Sequence, residues 1–71
     1  MHQINWGIIG SGSIANAFSY SIQAATNSKL TSIFGRNPKK VEAFADKFHI
    51  DAHHQLDDFI SSEEIDAIYV A

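Results

Sequence analysis

The sequence predicts an α/β fold built on a parallel, doubly wound sheet with helices on both faces. Apolar runs suited to buried strands alternate with apolar residues at helical spacing, in the order β-α-β-α-β-α-β. A glycine-rich turn joins the first strand to the first helix. Such alternation predicts right-handed crossovers, because each return to a parallel strand needs a covering helix. The length of 71 residues fits one small domain or part of a larger one.

The first βα unit begins at the amino terminus. Residues 3–9 are apolar on both faces, which is typical of a strand covered above and below. Gly10-Ser11-Gly12 then requires a tight turn. A helix is predicted to follow and to stop near Asn27. Its apolar residues at helical spacing are Ile14, Ala15, Phe18, Ile22 and Ala25.

The second βα unit has the clearest helix start in the sequence. Residues 30–34 form the predicted strand, bounded by Gly35. Asn37 can cap the next helix, and Pro38 suits its first position because the amide hydrogen there has no helical partner. The buried stripe of this helix consists of Val41, Phe44, Ala45 and Phe48.

The last third of the chain completes the pattern. We predict a short edge strand over 50–53, one or two helical turns over 56–60 and a fourth strand over 65–70. If the strand order is 3-2-1-4, the fourth strand lies beside the first with its outer edge unpaired. The chain stops at Ala71, directly after that strand, so we expect a fragment truncated after the fourth strand of a longer protein.

Composition excludes several classes of function. An apolar content of 45% with 18% charged residues is typical of a folded protein. The net charge of −3 provides no basic field for nucleic acid or an anionic membrane. No apolar run approaches the length of a membrane span, and the first residues lack the features of a signal peptide, so we expect a cytoplasmic protein. Without cysteine, no disulfide or zinc-thiolate site can add stability.

The glycine-rich turn carries the main chemical signal. Gly10-Ser11-Gly12-Ser13-Ile14-Ala15 fits G-x-G-x-x-A, a dinucleotide-binding pattern. The first glycine permits the turn, the second admits a diphosphate, and the small third residue lets the helix approach the sheet. The amide hydrogens of Ser13 and Ile14 would then face the phosphates. The alternative is a plain turn, but the buried strand before the motif and the helix after it favour the nucleotide site.

The end of the second strand predicts the choice of cofactor. An acidic residue there usually binds the ribose hydroxyls of NAD, but this chain has Gly35-Arg36-Asn37. Arg36 can bind a phosphate or stack on adenine, which favours NADP and leaves NAD possible. Lys39 and Lys40 oppose the helix dipole and suggest a nearby anion. The alternative is that both are solvated, with Lys39 near Glu42.

The other polar residues give little indication of a metal site or a catalytic site. His53 and His54 would point to opposite faces of a strand, and His2 and His49 add no ligand spacing, so we predict no metal site. No serine has an obvious basic partner, and no catalytic residue is assigned. The acidic residues near the third helix are expected to cap or flank it. Trp6, Phe18, Phe44 and Phe48 are expected in the core.

The sequence resembles the amino-terminal segment of the Gfo/Idh/MocA oxidoreductase family over essentially its whole length. The matching segments are Trp6 to Ala15, Gly35-Arg36-Asn37 with Lys40 and Val41, Phe44-Ala45, and Ile65 to Ala71. The resemblance implies a Rossmann domain that binds NAD(P), followed by an α/β domain that binds sugars, cyclitols or related polyols. It further implies a homo-oligomer and a small carbohydrate-like substrate.

The resemblance also implies roles for single residues. The turn around the diphosphate would be lined by Gly10, Gly12, Ser13, Ile14 and Ala15. The adenosine ribose and its 2′-phosphate would be surrounded by Gly35, Arg36, Asn37 and Lys40. Ala71 would begin the turn that carries the family's Thr-Pro-Asn motif. That motif and the family's Glu-Lys-Pro segment, whose lysine is implicated in proton transfer, do not occur in these 71 residues.

The leading hypothesis is that residues 1–71 are the first part of the cofactor domain of an NADP-dependent oxidoreductase acting on a sugar-like alcohol or its carbonyl form. A second hypothesis is a regulatory NAD(P)-binding module without turnover. A third is a fragment without independent activity, ordered through self-association of its edges.

Overall fold

In the computed structural model, which describes residues 3–71, one four-stranded parallel sheet has the order β3-β2-β1-β4. The predicted fold class and the predicted element order are confirmed. The strands and helices, in chain order, are β1 (Ile4–Ile9), α1 (Ser13–Ala24), β2 (Ser28–Phe34), α2 (Pro38–Phe48), β3 (Asp51–His53), α3 (Leu56–Ile60) and β4 (Ala67–Val70).

The helices lie on both faces of the sheet. On one face, α1 and α2 pack on β1 and β2 around Ile8, Ile33 and Val41, all fully buried. On the other face, the ring of Phe59 from α3 lies over Gly7, where a Cβ would come within 2.8 Å of it. Gly7 and Ile8 are neighbours in β1, so they face opposite sides of the sheet. The predicted doubly wound arrangement follows from this placement.

The expected aromatic core is only partly enclosed. Phe44 and Phe48 are buried, whereas Trp6 and Phe18 are partly buried at the side of the core. Phe18 stacks on Tyr69 of β4, with ring centroids 3.9 Å apart, and meets the ring of Trp6 edge-on at 5.4 Å. This stack joins α1 to the edge strand β4.

Several predicted boundaries differ from those in the structure. β2 begins at Ser28, two residues before the prediction, because Ser28 and Lys29 pair with the start of β1. β4 begins at Ala67 rather than at residue 65. Asp66 precedes it and binds Asn5 through both its backbone and its carboxylate. The first helix ends at Ala24, before the predicted stop at Asn27.

None of the helices within residues 3–71 is both long and apolar enough to cross a membrane.

Candidate functional site

The carboxyl ends of three strands meet at one edge of the sheet. Gly10 N donates to Phe34 O at 2.9 Å, and Ala71 N donates to Ile9 O at 2.9 Å. These two hydrogen bonds hold the end of β1 between the ends of β2 and β4. The residues predicted to bind the cofactor follow these strand ends, at the edge where doubly wound sheets bind ligands.

The glycine corner, residues 10–12, turns the chain from β1 into α1. Gly10 has φ +113°, a left-handed value that side chains rarely adopt, and a Cβ there would lie 3.3 Å from Ala71 Cβ. Gly12 is the N-cap of α1, and a Cβ built on it would meet nothing within 4 Å. The corner therefore needs Gly10 for its own fold and leaves open space at Gly12.

The first turn of α1 leaves amide hydrogens available at this corner. The first intrahelical hydrogen bond runs from Asn16 N to Gly12 O at 3.0 Å, so the amides of Ser13, Ile14 and Ala15 precede the helical ladder. Gly12 has no side chain to cap them, and the first turn has no acidic residue. A bound anion would satisfy these donors and the positive end of the helix dipole.

An open pocket of about 270 Å³ forms around the corner. Six of the predicted site residues come together there. Its lining consists of Gly10, Gly12, Ser13, Ile14, Ala15 and Ala71. Ala15 is fully buried beneath it, which lets α1 lie close to the sheet.

The turn between β2 and α2 has a different construction. Asn37 Oδ1 accepts hydrogen bonds from Lys39 N at 3.1 Å and from Lys40 N at 3.3 Å. The side chain of Asn37 therefore caps α2 as predicted, and its amide nitrogen Nδ2 is left to donate elsewhere. A Cβ on Gly35 would lie 2.8 Å from Cγ2 of the buried Val41, so the missing side chain at position 35 serves the close approach of α2.

The basic residues of the second turn are accessible. Arg36 and Lys40 are exposed. Lys40 shares a pocket of about 350 Å³ between α1 and α2 with Ser11 of the glycine corner. The structure thus brings Lys40 beside the corner. Glu42 lies close to His54, with Oε2 3.2 Å from Nε2, so its partner is His54 rather than Lys39.

Two residues of this region were not singled out from the sequence. Asn16 and Lys47 line the pocket that contains Lys40, and Lys47 Nζ donates to Asn16 Oδ1 at 2.7 Å. Lys47 follows Lys40 by seven residues, which is two turns of the same helix face. That spacing was the available signal, but no sequence feature links Lys47 to Asn16.

Within residues 3–71, no three histidine or acidic side chains form a group suited to hold a metal ion.

Comparison with known proteins identifies relatives of this fold. Residues 4–71 match the family model GFO_IDH_MocA. This model is described as an oxidoreductase family with an NAD-binding Rossmann fold. No curated protein matches the sequence.

Solved structures match all or nearly all of this chain, which spans only about a fifth of their own length. A protein from Desulfitobacterium hafniense, described as an NADPH-dependent oxidoreductase, has a TM-score of 0.94 at 15% identity, covering 100% of this chain and 20% of its own. The WlbA dehydrogenase from Bordetella pertussis, in complex with NADH and UDP-GlcNAcA, has a TM-score of 0.89 at 24% identity over 100% and 22% of the two chains. Biliverdin reductase from Synechocystis, in complex with biliverdin and NADP+, has a TM-score of 0.87 at 26% identity over 96% and 22%.

Proposed function

Because this chain belongs to the Gfo/Idh/MocA oxidoreductase family with the NAD-binding Rossmann fold, we propose that residues 1–71 form the first part of the cofactor domain of an NADP-dependent oxidoreductase. Its substrate is a sugar-like or polyol-like alcohol or the corresponding carbonyl compound. The rest of the cofactor domain and a substrate domain belong to the remainder of the protein.

The open glycine corner is the observation that carries this proposal. The two long helices begin differently, since α2 is capped by its own Asn37 and α1 begins at a glycine without a side chain. Of these two helices, α1 is therefore the one that leaves its first amide hydrogens to a ligand. The space at Gly12 and the amides of Ser13 and Ile14 fit the diphosphate of a dinucleotide.

The second turn supports NADP over NAD. Lys40 is an exposed cation beside the corner, and Arg36 is an exposed cation two residues after the end of β2. β2 ends without a carboxylate that would repel a 2′-phosphate. Asn37 Nδ2 is a further donor toward the ribose. Relatives of the same fold bind either form, because the WlbA dehydrogenase holds NADH and biliverdin reductase holds NADP+. The preference therefore rests on the charges of this chain.

A carbohydrate-like substrate is proposed from the family and from the WlbA dehydrogenase, whose complex contains UDP-GlcNAcA. The bound nicotinamide supplies the hydride transfer. Residues 1–71 hold and orient the diphosphate and the adenosine, and no residue among them is assigned the accompanying proton transfer. We further propose that the full-length protein is a homo-oligomer and that it is located in the cytoplasm.

Calorimetric titration of the full-length protein with NADP and NAD tests the cofactor role. We expect NADP to bind at least tenfold more tightly than NAD. Gly12→Ala should weaken both by at least tenfold, because the added methyl group occupies the open space of the corner. Lys29→Met, which changes a residue at the amino end of β2, is the matched control and should bind as the wild type does.

Turnover is tested separately, by following NADPH absorbance with a panel of sugars, cyclitols and their carbonyl derivatives. Oxidation or reduction of one of them at a rate well above background supports the enzyme. Tight nucleotide binding without turnover of any compound in the panel would favour the regulatory module instead. Binding of neither nucleotide would overturn the proposed function.

A further inference from the structure

Lys47 makes a contact that ties α2 to the first turn of α1. Its ammonium group donates to Asn16 Oδ1 at 2.7 Å, across a sequence separation of 31 residues. The contact is short, as expected for a charged donor. Lys47 lies near the carboxyl end of α2, so the bond joins the end of one helix to the beginning of another.

Asn16 connects this contact to the glycine corner by hydrogen bonds. Both its backbone N and its side-chain Nδ2 lie 3.0 Å from Gly12 O and donate to it. Asn16 thus uses its side-chain oxygen for Lys47 and its side-chain nitrogen for Gly12. With Oδ1 engaged by Lys47, the amide group of Asn16 is held with Nδ2 toward the corner.

The carbonyl of Gly12 and the amide hydrogen of Ser13 belong to one peptide group. A trans peptide is planar, and its C=O and N–H point in opposite directions. Fixing Gly12 O within the helix therefore fixes the direction of the Ser13 N–H, which is one of the donors proposed for the diphosphate. The chain of contacts runs from Lys47 through Asn16 to that donor.

We infer that Lys47 is a positioning residue for the cofactor: through Asn16 it holds the Gly12–Ser13 peptide with its N–H directed at the diphosphate. This inference rests on the proposed function. It predicts an effect on NAD and NADP alike, because both contain the diphosphate. Arg36 differs in this respect, since its proposed partner is the 2′-phosphate of NADP alone.

A purely structural role is the competing explanation. Lys47 Nζ lies 5.1 Å from the ring centroid of Tyr20 and 5.3 Å from that of Phe48, so the side chain also contacts aromatic groups between the helices. Loss of these contacts would lower the stability of the fold without changing the affinity of the folded protein for the cofactor. Lys47→Met keeps a long unbranched side chain and removes the charged donor.

The test uses the full-length protein and compares Lys47→Met, Lys47→Arg, Asn16→Ala and the double variant Lys47→Met/Asn16→Ala. Dissociation constants for NAD and NADP are measured by calorimetry, and thermal unfolding is measured without nucleotide. Lys29→Met again removes one lysine charge at the amino end of β2 and serves as the control. The temperature of the titrations lies well below every unfolding midpoint.

We expect Lys47→Met to raise both dissociation constants by the same factor, about threefold to fivefold for an exposed contact. Lys47→Arg, which keeps a charged donor, should restore most of the loss. Asn16→Ala should produce a loss at least as large, and the double variant should be no weaker than Asn16→Ala, because Lys47 acts through Asn16.

Unchanged affinity for both nucleotides in Lys47→Met, whether or not the unfolding midpoint falls, would overturn the inference while the proposed function stands. A double variant whose loss is the product of the two single losses would also overturn it, because Lys47 would then act without Asn16. If the wild-type protein binds neither nucleotide, the proposed function and this inference fail together.

Discussion

Gly12 and Gly35 both belong to the predicted site, but the absence of a side chain has a different physical consequence at each position. A Cβ on Gly35 would lie 2.8 Å from Val41 Cγ2, whereas one on Gly12 would meet nothing within 4 Å. Position 35 is therefore constrained by helix packing, whereas position 12 has open space that we propose is occupied by the cofactor. The sequence pattern treats both as parts of a nucleotide site, and only the structure separates the two constraints.

Substitution of the two glycines should affect different properties: stability for Gly35 and nucleotide binding for Gly12. Gly35→Ala should lower the free energy of unfolding by about 1 to 3 kcal/mol, because the buried Val41 must move. Gly12→Ala should cost less than about 1 kcal/mol, since it only weakens a helix cap, yet it should weaken nucleotide binding. Urea unfolding and calorimetric titration of the full-length variants check this. A larger loss of stability for Gly12→Ala than for Gly35→Ala would contradict the packing argument.

Arg36 is the residue expected to distinguish the two cofactors. Arg36→Ala should weaken NADP binding by about 1 to 3 kcal/mol, the range of hydrogen bonds to charged groups, and NAD binding by much less. The measurement is a titration of the full-length variant with each nucleotide. Lys29→Ala removes the same charge at the amino end of β2 and should change neither affinity. Equal losses for NADP and NAD in Arg36→Ala would reject this role.

The starts of α1 and α2 differ in how their first amide hydrogens are satisfied. Asn37 and Pro38 give α2 a self-contained start, with the cap bonds made by its own chain. Gly12 gives α1 an unsatisfied start at the carboxyl edge of the sheet. Two helices of similar length therefore begin differently, and we propose that α1 contributes to the cofactor site through its amino terminus.

The cap of α2 can be tested by its effect on stability. Asn37→Ala should lower the free energy of unfolding by about 0.5 to 2 kcal/mol, because Lys39 N and Lys40 N lose their acceptor. Asn37→Ser keeps a capping oxygen and should lose much less. Chemical denaturation of the two variants measures these losses. An equal loss of unfolding free energy in both would show that the side-chain hydrogen bonds of Asn37 do not stabilise the helix.

The elements themselves were predictable because each carries its own pattern of buried residues, but their ends were not. Ser28 and Lys29 belong to β2 through pairing with β1 and have no apolar signal of their own. Between Trp6 and Gly7 the register shifts, so that β2 has an extra residue, Thr31, whose hydroxyl donates to Trp6 O at 3.2 Å. Such a bulge depends on the partner strand and cannot be predicted from either strand alone.

The whole fold is set by pattern rather than by particular side chains. The match to the Desulfitobacterium hafniense protein reaches a TM-score of 0.94 at 15% identity. Alternating strands and helices with small residues at the corner allow the strand order and the carboxyl edge of the sheet to be predicted from sequence. The contact of Lys47 with Asn16 could not be predicted, because these residues are 31 positions apart in sequence and meet only through the packing of α1 beside α2.

We propose that the cofactor binds at the edge of the sheet where β1, β2 and β4 end. A crystal structure of the full-length protein with bound NADP measures that placement most directly. We predict diphosphate oxygens within hydrogen-bond distance of Ser13 N and Ile14 N, over the open face of Gly12, with the 2′-phosphate next to Arg36. A diphosphate bound elsewhere, with the amides of Ser13 and Ile14 facing solvent, would contradict this placement of the cofactor.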